Sequence, residues 1–167
     1  RPTGIRTAET PADDVAEYQP RWRSHTVDST QYRKVFLAGT IDMGRSADWQ
    51  AAPVARFRDS IGRRWLFFNP RRREFHASPA EMEYQVAWEL AHLEAADLIV
   101  MNLLGDSRSP ISLLEMGLYA RSGKLFVACS PDYYRYDNVR ITCRRYGVPL
   151  YDSLTALLDD LPQQSDE

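Results

Sequence analysis

Apolar residues along this chain fall into short unbroken runs, and the stretches between them carry apolar positions at helical spacing. The runs cover 34–39, 64–69, 97–102 and 124–129, with a shorter one at 148–151. None alternates cleanly between apolar and polar, which is how strands covered on both faces read. Between them, 46–61 carries Trp49, Val54 and Phe57 at helical spacing, with Pro53 near its start. The segment 79–96 is the strongest helix, with Ser78 at the N-cap and Pro79 at the first helical position. Ser109 and Pro110 repeat that opening, and Gly123 closes the helix they start. Further helices are predicted over 138–146 and 153–161.

Strand and helix therefore alternate from residue 33 onward. Joined by right-handed crossovers, such units build a parallel sheet between two layers of helices. The prediction is an α/β, flavodoxin-like three-layer sandwich in a domain over 33–162, its five-stranded parallel sheet in the order 2-1-3-4-5. Residues 1–32 differ. They are polar, carry prolines and show no sustained period, so they read as an N-terminal arm, partly disordered or docking. Tyr18, Trp22 and Tyr32 are the residues by which its later part would pack.

Composition narrows the function without naming it. The 167 residues are 44% hydrophobic and 26% charged, which fits one globular domain with a core of its own. No apolar run approaches the length of a membrane span. The formal net charge of −2 gives no basic surface for polymeric nucleic acid. Cys129 and Cys143 have neither CxxC nor zinc spacing, and His25, His76 and His92 share no metal-ligand spacing, so no metal or other cofactor is expected. Two unpaired cysteines fit a reducing, cytoplasmic compartment.

Sites on such sheets lie beyond the carboxyl ends of the strands, at the switch point between the first and third. After the first predicted strand stand Gly39, Thr40, Ile41 and Asp42, a turn that is neither a Walker loop nor GxGxxG. Asp42 would bring a carboxylate to sugar hydroxyls or a base amino group, or would cap the turn. After the second come Asn69, Pro70, Arg71, Arg72 and Arg73. One or two of these guanidinium groups could meet a ligand while the rest stay solvated. On a helix from Pro110, Ile111, Leu114, Glu115 and Leu118 share one face, which sets a carboxylate in an apolar stripe. Glu89 stands likewise among Met82, Val86, Leu90 and Leu93. Two carboxylates reaching one cleft is the arrangement of glycosidic-bond chemistry, and the alternative is that each marks the edge of its stripe.

Taken together these pieces resemble the nucleoside 2-deoxyribosyltransferase superfamily, and within it the deoxyribosyltransferase-like branch. The resemblance rests on 35–42, Asp48-Trp49-Gln50, 68–74, 88–97, Ser109 to Gly117, Gly123-Lys124 and 146–152 in that order. It implies cleavage or transfer of the N-glycosidic bond of a small nucleoside or nucleotide. Glu115, in a Glu-x-Gly pattern, matches the nucleophile that forms a glycosyl-glutamate ester. Glu89, eight residues before Asp97, matches the carboxylate that positions or protonates the base. Ser109, six before Glu115, matches a residue touching sugar or phosphate. Phe36 stands where the transferases carry a Tyr. Asn138 matches an Asn supplied by a neighbouring subunit, which implies a homodimer or higher homo-oligomer. Gly39, Thr40, Asp42, Asn69, Arg71 and Arg72 complete the implied substrate-binding set. Two alternatives stay open: an NAD-type N-glycosidase, with the arginines on a pyrophosphate, and a nucleotide-binding module that has lost turnover, as the missing Tyr would allow.

Overall fold

The computed structural model describes residues 14–41, 46–58 and 63–164. Asp42 lies outside the described residues. Seven strands and five α-helices alternate through most of the described chain. They are β1 (Val15–Gln19), β2 (Trp22–Arg23), β3 (Arg33–Gly39), α1 (Ala51–Arg58), β4 (Trp65–Phe68), α2 (Pro79–Ala95), β5 (Leu98–Leu103), α3 (Pro110–Tyr119), β6 (Leu125–Cys129), α4 (Tyr136–Tyr146), β7 (Leu150–Tyr151) and α5 (Leu154–Gln164).

They form one sheet in the order β2-β1-β4-β3-β5-β6-β7. The expectation of five strands is thereby corrected to seven. The predicted runs are neighbours in the order β4-β3-β5-β6-β7, and two strands from the N-terminal stretch extend the sheet beyond β4. β1 lies parallel to β4, with Val15 opposite Trp65 and Tyr18 opposite Phe68. β2 turns back antiparallel on β1. The physical reason lies in β4: all four of its residues are buried, and its backbone groups on the side away from β3 need partners. The later part of the segment read as an arm is thus sheet edge, and residues 1–13 lie outside the described residues.

The central strands alternate between two apolar layers. Phe36, Ala38, Leu66, Phe68, Ile99, Met101, Val127 and Cys129 point to one core, which is closed by Leu93, Met116, Ala120, Val139 and Cys143 of the α2–α4 layer and its connections. Val35, Leu37, Trp65, Phe67, Val100 and Phe126 point to the other, closed by Val54 and Phe57 of α1 and Leu157, Leu158 and Leu161 of α5. This two-sided burial is why the runs do not alternate in polarity.

Two helical expectations are corrected. Most of the apolar stripes of α2 and α3 turn away from the sheet, with Leu93 the exception on α2. Met82, Val86 and Leu90 are exposed, as are Ile111, Leu114 (60%) and Leu118. The sheet-facing side of α3 instead carries Ser112, Glu115 and Met116. A helical period shows that a stripe exists; tertiary packing decides what it meets. In addition, α3 ends at Tyr119, and Gly123 stands beyond it in the turn before β6.

Lys124, one of the two lysines in the chain, fastens the end of α2 to the start of β6. Its Nζ donates to the carbonyl oxygens of Leu93 (2.7 Å), Glu94 (3.1 Å) and Ala96 (3.0 Å). These are the carbonyls a helix leaves unpaired at its C-terminus, where a cation is also favoured by the helix dipole. Lys124→Met is expected to lower stability by about 1–3 kcal/mol, because charged hydrogen bonds are lost at a partly buried position. Urea denaturation would show this as a lower midpoint at unchanged slope.

Candidate active site

The loops that follow β3 and β5 meet at one end of the sheet, and the meeting depends on Gly39. Gly39 pairs with Asn102 across the β3–β5 ladder. Its φ is +126°, and a Cβ there would stand 2.1 Å from the Asn102 carbonyl oxygen, so no side chain fits. Thr40, the next residue, is fully buried and donates its backbone N–H to that same oxygen at 3.0 Å. Its hydroxyl lies 2.8 Å from Ser107 Oγ and 2.7 Å from Ser109 Oγ, and it accepts from the Leu104 backbone N–H at 3.1 Å. The two serine hydroxyls are 2.9 Å apart. This closed set of three hydroxyls ties the loop after β3 to the entrance of α3.

Ser109 behaves differently from Ser78. Ser78 caps α2 as expected, accepting from Glu81 N–H. Ser109 occupies the corresponding place on α3 but makes no side-chain cap, because its hydroxyl is held by Thr40 and Ser107. Its φ of +47° is unusual for a residue with a side chain. The expected serine cap on α3 is corrected accordingly.

From that anchored start α3 carries Glu115 inward to 8% exposure. Among the described residues no hydrogen-bond donor meets its carboxylate. Burial, and then the charge of Glu89, push its pKa from 4.5 up to about 8. Glu89 comes from α2 and is partly buried. Desolvation raises its pKa, and one hydrogen bond, from Gln85 Nε2 at 3.1 Å, works in the other direction. The two carboxyl groups named from the sequence are therefore brought within electrostatic reach of each other. Phe36 stands beneath α2, fully enclosed, with its ring 6.2 Å from that of Trp88.

The Asn69–Arg73 turn is largely engaged in holding the fold. Asn69 is buried, donates Nδ2–H to Glu17 Oε2 (2.9 Å) and accepts from Arg71 N–H (3.0 Å). Arg71 spends its guanidinium on Gln50 Oε1, Ser46 Oγ and the Ala47 carbonyl. Arg73 donates to Gln19 and lies over the Trp22 ring. Arg72 is the most open of the three in bonding. Its Nη2 donates to Glu81 at 2.6 Å, while its buried Nε and Nη1 meet no partner among the described residues. The turn borders a cavity of about 520 Å³ between α1 and β1, lined in part by Glu17, Asp48, Arg58 and Arg71. That cavity contains neither Glu115 nor Glu89. Asn138 lies apart from the carboxyl pair's helix α2, in a groove of about 290 Å³ between α3 and α4 with Leu113, Met116 and Gly117.

Sequence reasoning missed Gln85 and Ser107. The signal for Gln85 was its place four residues before Glu89, the spacing at which helix side chains meet. Ser107 carried no comparable signal, because its role depends on a contact with Thr40 far away in the chain. Among the described residues no group of His, Cys, Asp and Glu is arranged to hold a metal ion, and no helix is long and apolar enough to cross a membrane.

A family model described as nucleoside 2-deoxyribosyltransferase like matches residues 32–133. The chain belongs to that family. None of the curated proteins compared with it matches. Among solved structures it is similar to a conserved protein from Enterococcus faecalis V583, with a TM-score of 0.56 at 14% identity over 80% of this chain and 99% of that one. At this identity the likeness shows a shared fold.

The raised pKa of Glu115 has a consequence for stability. The unfolded chain releases this proton near 4.5, whereas the folded chain keeps it to about 8. Stability is therefore lost progressively as pH rises between those values and changes no further above them. Glu115→Gln is expected to match the parent near pH 4.5 and to exceed it above pH 8 by on the order of 4–5 kcal/mol. Denaturation midpoints across that range would show the gap opening with pH.

Proposed function

We propose that this chain cleaves or transfers the N-glycosidic bond of a nucleoside or nucleotide, with Glu115 as nucleophile and Glu89 as proton carrier. The observation that carries this reading is a pair of desolvated carboxyl groups from neighbouring elements, within electrostatic reach of each other and each with a raised pKa. Membership of the deoxyribosyltransferase-like family supports it.

In the first step the Glu115 carboxylate attacks the anomeric carbon as the bond to the base breaks. The bonding pair leaves on the base nitrogen, which takes a proton from Glu89, because an unprotonated base anion leaves poorly. A glycosyl ester on Glu115 results. In the second step Glu89, now ionised, accepts a proton from water or from an incoming base, which attacks the same carbon and frees Glu115. The first step uses one proton held on Glu89, and the second returns it there. Positive charge develops on the sugar as the bond to the base breaks. Burial strengthens the attraction between the carboxylate and that developing charge.

Chromatography of free base released from ribo- and deoxynucleosides, their 5′-monophosphates and NAD, with and without an acceptor base, tests this. Base release is expected, and it should fall at least about a thousandfold in Glu115→Ala and about a hundredfold in Glu89→Gln. New nucleoside formed with the acceptor identifies a transferase, and release without it a hydrolase. No release from any substrate by the folded protein overturns the reading.

Self-association belongs to the same proposal. Six aliphatic side chains stand exposed on adjacent helices, Met82, Val86 and Leu90 on α2 with Ile111, Leu114 and Leu118 on α3. A patch of this kind marks an interaction surface, and α3 is also the helix that carries Glu115. A homodimer or larger homo-oligomer is expected by light scattering, with Leu114→Asp/Leu118→Asp giving a folded monomer. A monomeric parent protein would sink this part.

A further inference from the structure

The geometry points to Gln85 as a positioning residue that fixes which oxygen of the Glu89 carboxyl group carries the proton. This inference rests on the proposed role of Glu89 only for its effect on catalysis; the arrangement itself is independent of it.

Gln85 stands one turn before Glu89 on α2. Its Nε2 makes two hydrogen bonds, to the Pro70 carbonyl at 3.1 Å and to Glu89 Oε1 at 3.1 Å. An amide side chain can in principle be turned over, so that its carbonyl stands where its NH₂ was. Here the Pro70 carbonyl forbids it: the reversed amide would set two carbonyl oxygens against each other and leave a backbone acceptor unpaired. Gln85 Oε1 is buried and has no partner among the described residues, so no acceptor function competes. Gln85 is thus a donor of fixed orientation. A carboxyl oxygen that accepts an N–H at this distance cannot hold a proton pointing along the same line. The carbonyl oxygen of a carboxylic acid is also the better acceptor of its two oxygens, so the Gln85 donor on Oε1 favours the proton on Oε2.

The Pro70 carbonyl is itself held in place. Its turn is gripped by β1 of the β1–β2 hairpin, through Asn69 on Glu17, Gln19 Nε2 on the Arg71 carbonyl at 2.8 Å, and Arg73 on Gln19. At the tip of the same hairpin, Arg21 donates to Glu81 at 2.8 Å and its backbone N–H to Tyr84 Oη at 3.1 Å, both on α2. The hairpin lies before the stretch matched by the family model. It braces both partners of the bond that Gln85 bridges, the turn and the helix. Gln85 transmits that bracing to a proton-carrying group without touching substrate.

The test is a carboxyl ¹³C titration of Glu89 in the Glu115→Gln background, where one member of the pair is left to titrate. Gln85→Met keeps length and helix propensity and removes the donor. The Glu89 pKa is expected to rise by about half to one unit, because an N–H that favoured the ionised form is gone. Gln85→Glu, which replaces the donor with a second carboxyl group, should raise it further. Thermal melts establish that both variants are folded, and if Gln85→Met fails to fold, Gln85→Glu alone decides. An unchanged or lowered Glu89 pKa overturns the inference. With Glu115 intact, the limb of the base-release pH profile that disappears in Glu89→Gln should move upward in Gln85→Met by the same amount. A titration that moves while that limb stays still supports the positioning and overturns the role of Glu89 as proton carrier.

Discussion

A buried carboxyl group, Glu115, and a partly buried one, Glu89, within electrostatic reach of each other set the demand that the surrounding structure meets. Neither Glu115 nor Glu89 has a cation among the influences on its pKa, and burial is the largest of them for both. Desolvation of a carboxylate opposes folding, so the elements that carry these groups must be fixed by interactions made elsewhere. The structure supplies them on both helices. α3 is pinned at its start by the hydroxyls of Thr40, Ser107 and Ser109. α2 is capped by Ser78 at one end and clasped by Lys124 at the other. With both ends secured, the middle of α2 and the second turn of α3 can hold groups that contribute nothing to stability. Costs of this kind concentrate where a fold does chemistry.

The central strands were legible because two-sided burial leaves an unmistakable trace, a run of apolar residues without alternation. Glu115 was legible for a related reason, as a carboxylate in a segment otherwise apolar. The face it lies on was misjudged, however, since Ile111, Leu114 and Leu118 turn to solvent while Ser112 and Met116 turn inward. Spacing alone cannot say which side of a helix meets the sheet. β1 was illegible because nothing local makes Val15–Gln19 a strand. Polar Glu17 and Gln19 interrupt it, Pro20 follows directly, and its pairing is with β4, some 50 positions along the chain. Its glutamate and glutamine read as surface residues, yet they hold the turn after β4. Ser109 shows a local rule yielding to a distant contact: Ser-Pro predicts a cap, and a hydroxyl from β3's loop takes the serine instead.

The arginines invite a further step. A run of three beside a candidate nucleotide site suggests anion binding, and the chain is rich in this residue. Yet Arg71 is taken up by the loop before α1, Arg73 by Gln19 and the Trp22 ring, and Arg72 in part by Glu81. Keeping these charges away from the carboxyl pair matters in its own right. A guanidinium against Glu115 would hold its carboxylate ionised and satisfied, lowering its pKa and reducing what it gains from a positive centre on the sugar. Under the proposed mechanism, a carboxylate without one finds its best partner only as that charge develops.

The two members of the pair are nevertheless unequal, and the inequality suits the two tasks proposed for them. Glu89 has a neutral donor on one oxygen, Gln85 Nε2, which orients its carboxyl group. That is what a proton carrier requires, because transfer depends on where the proton points. Glu115 has no such donor among the described residues. A nucleophile needs its oxygens free of hydrogen bonds that would have to break on attack, and it needs the carbon placed near it by the binding of the rest of the substrate. One helix presents a tethered carboxyl group and the other a bare one, and the side chain that makes the difference is a single glutamine one turn away.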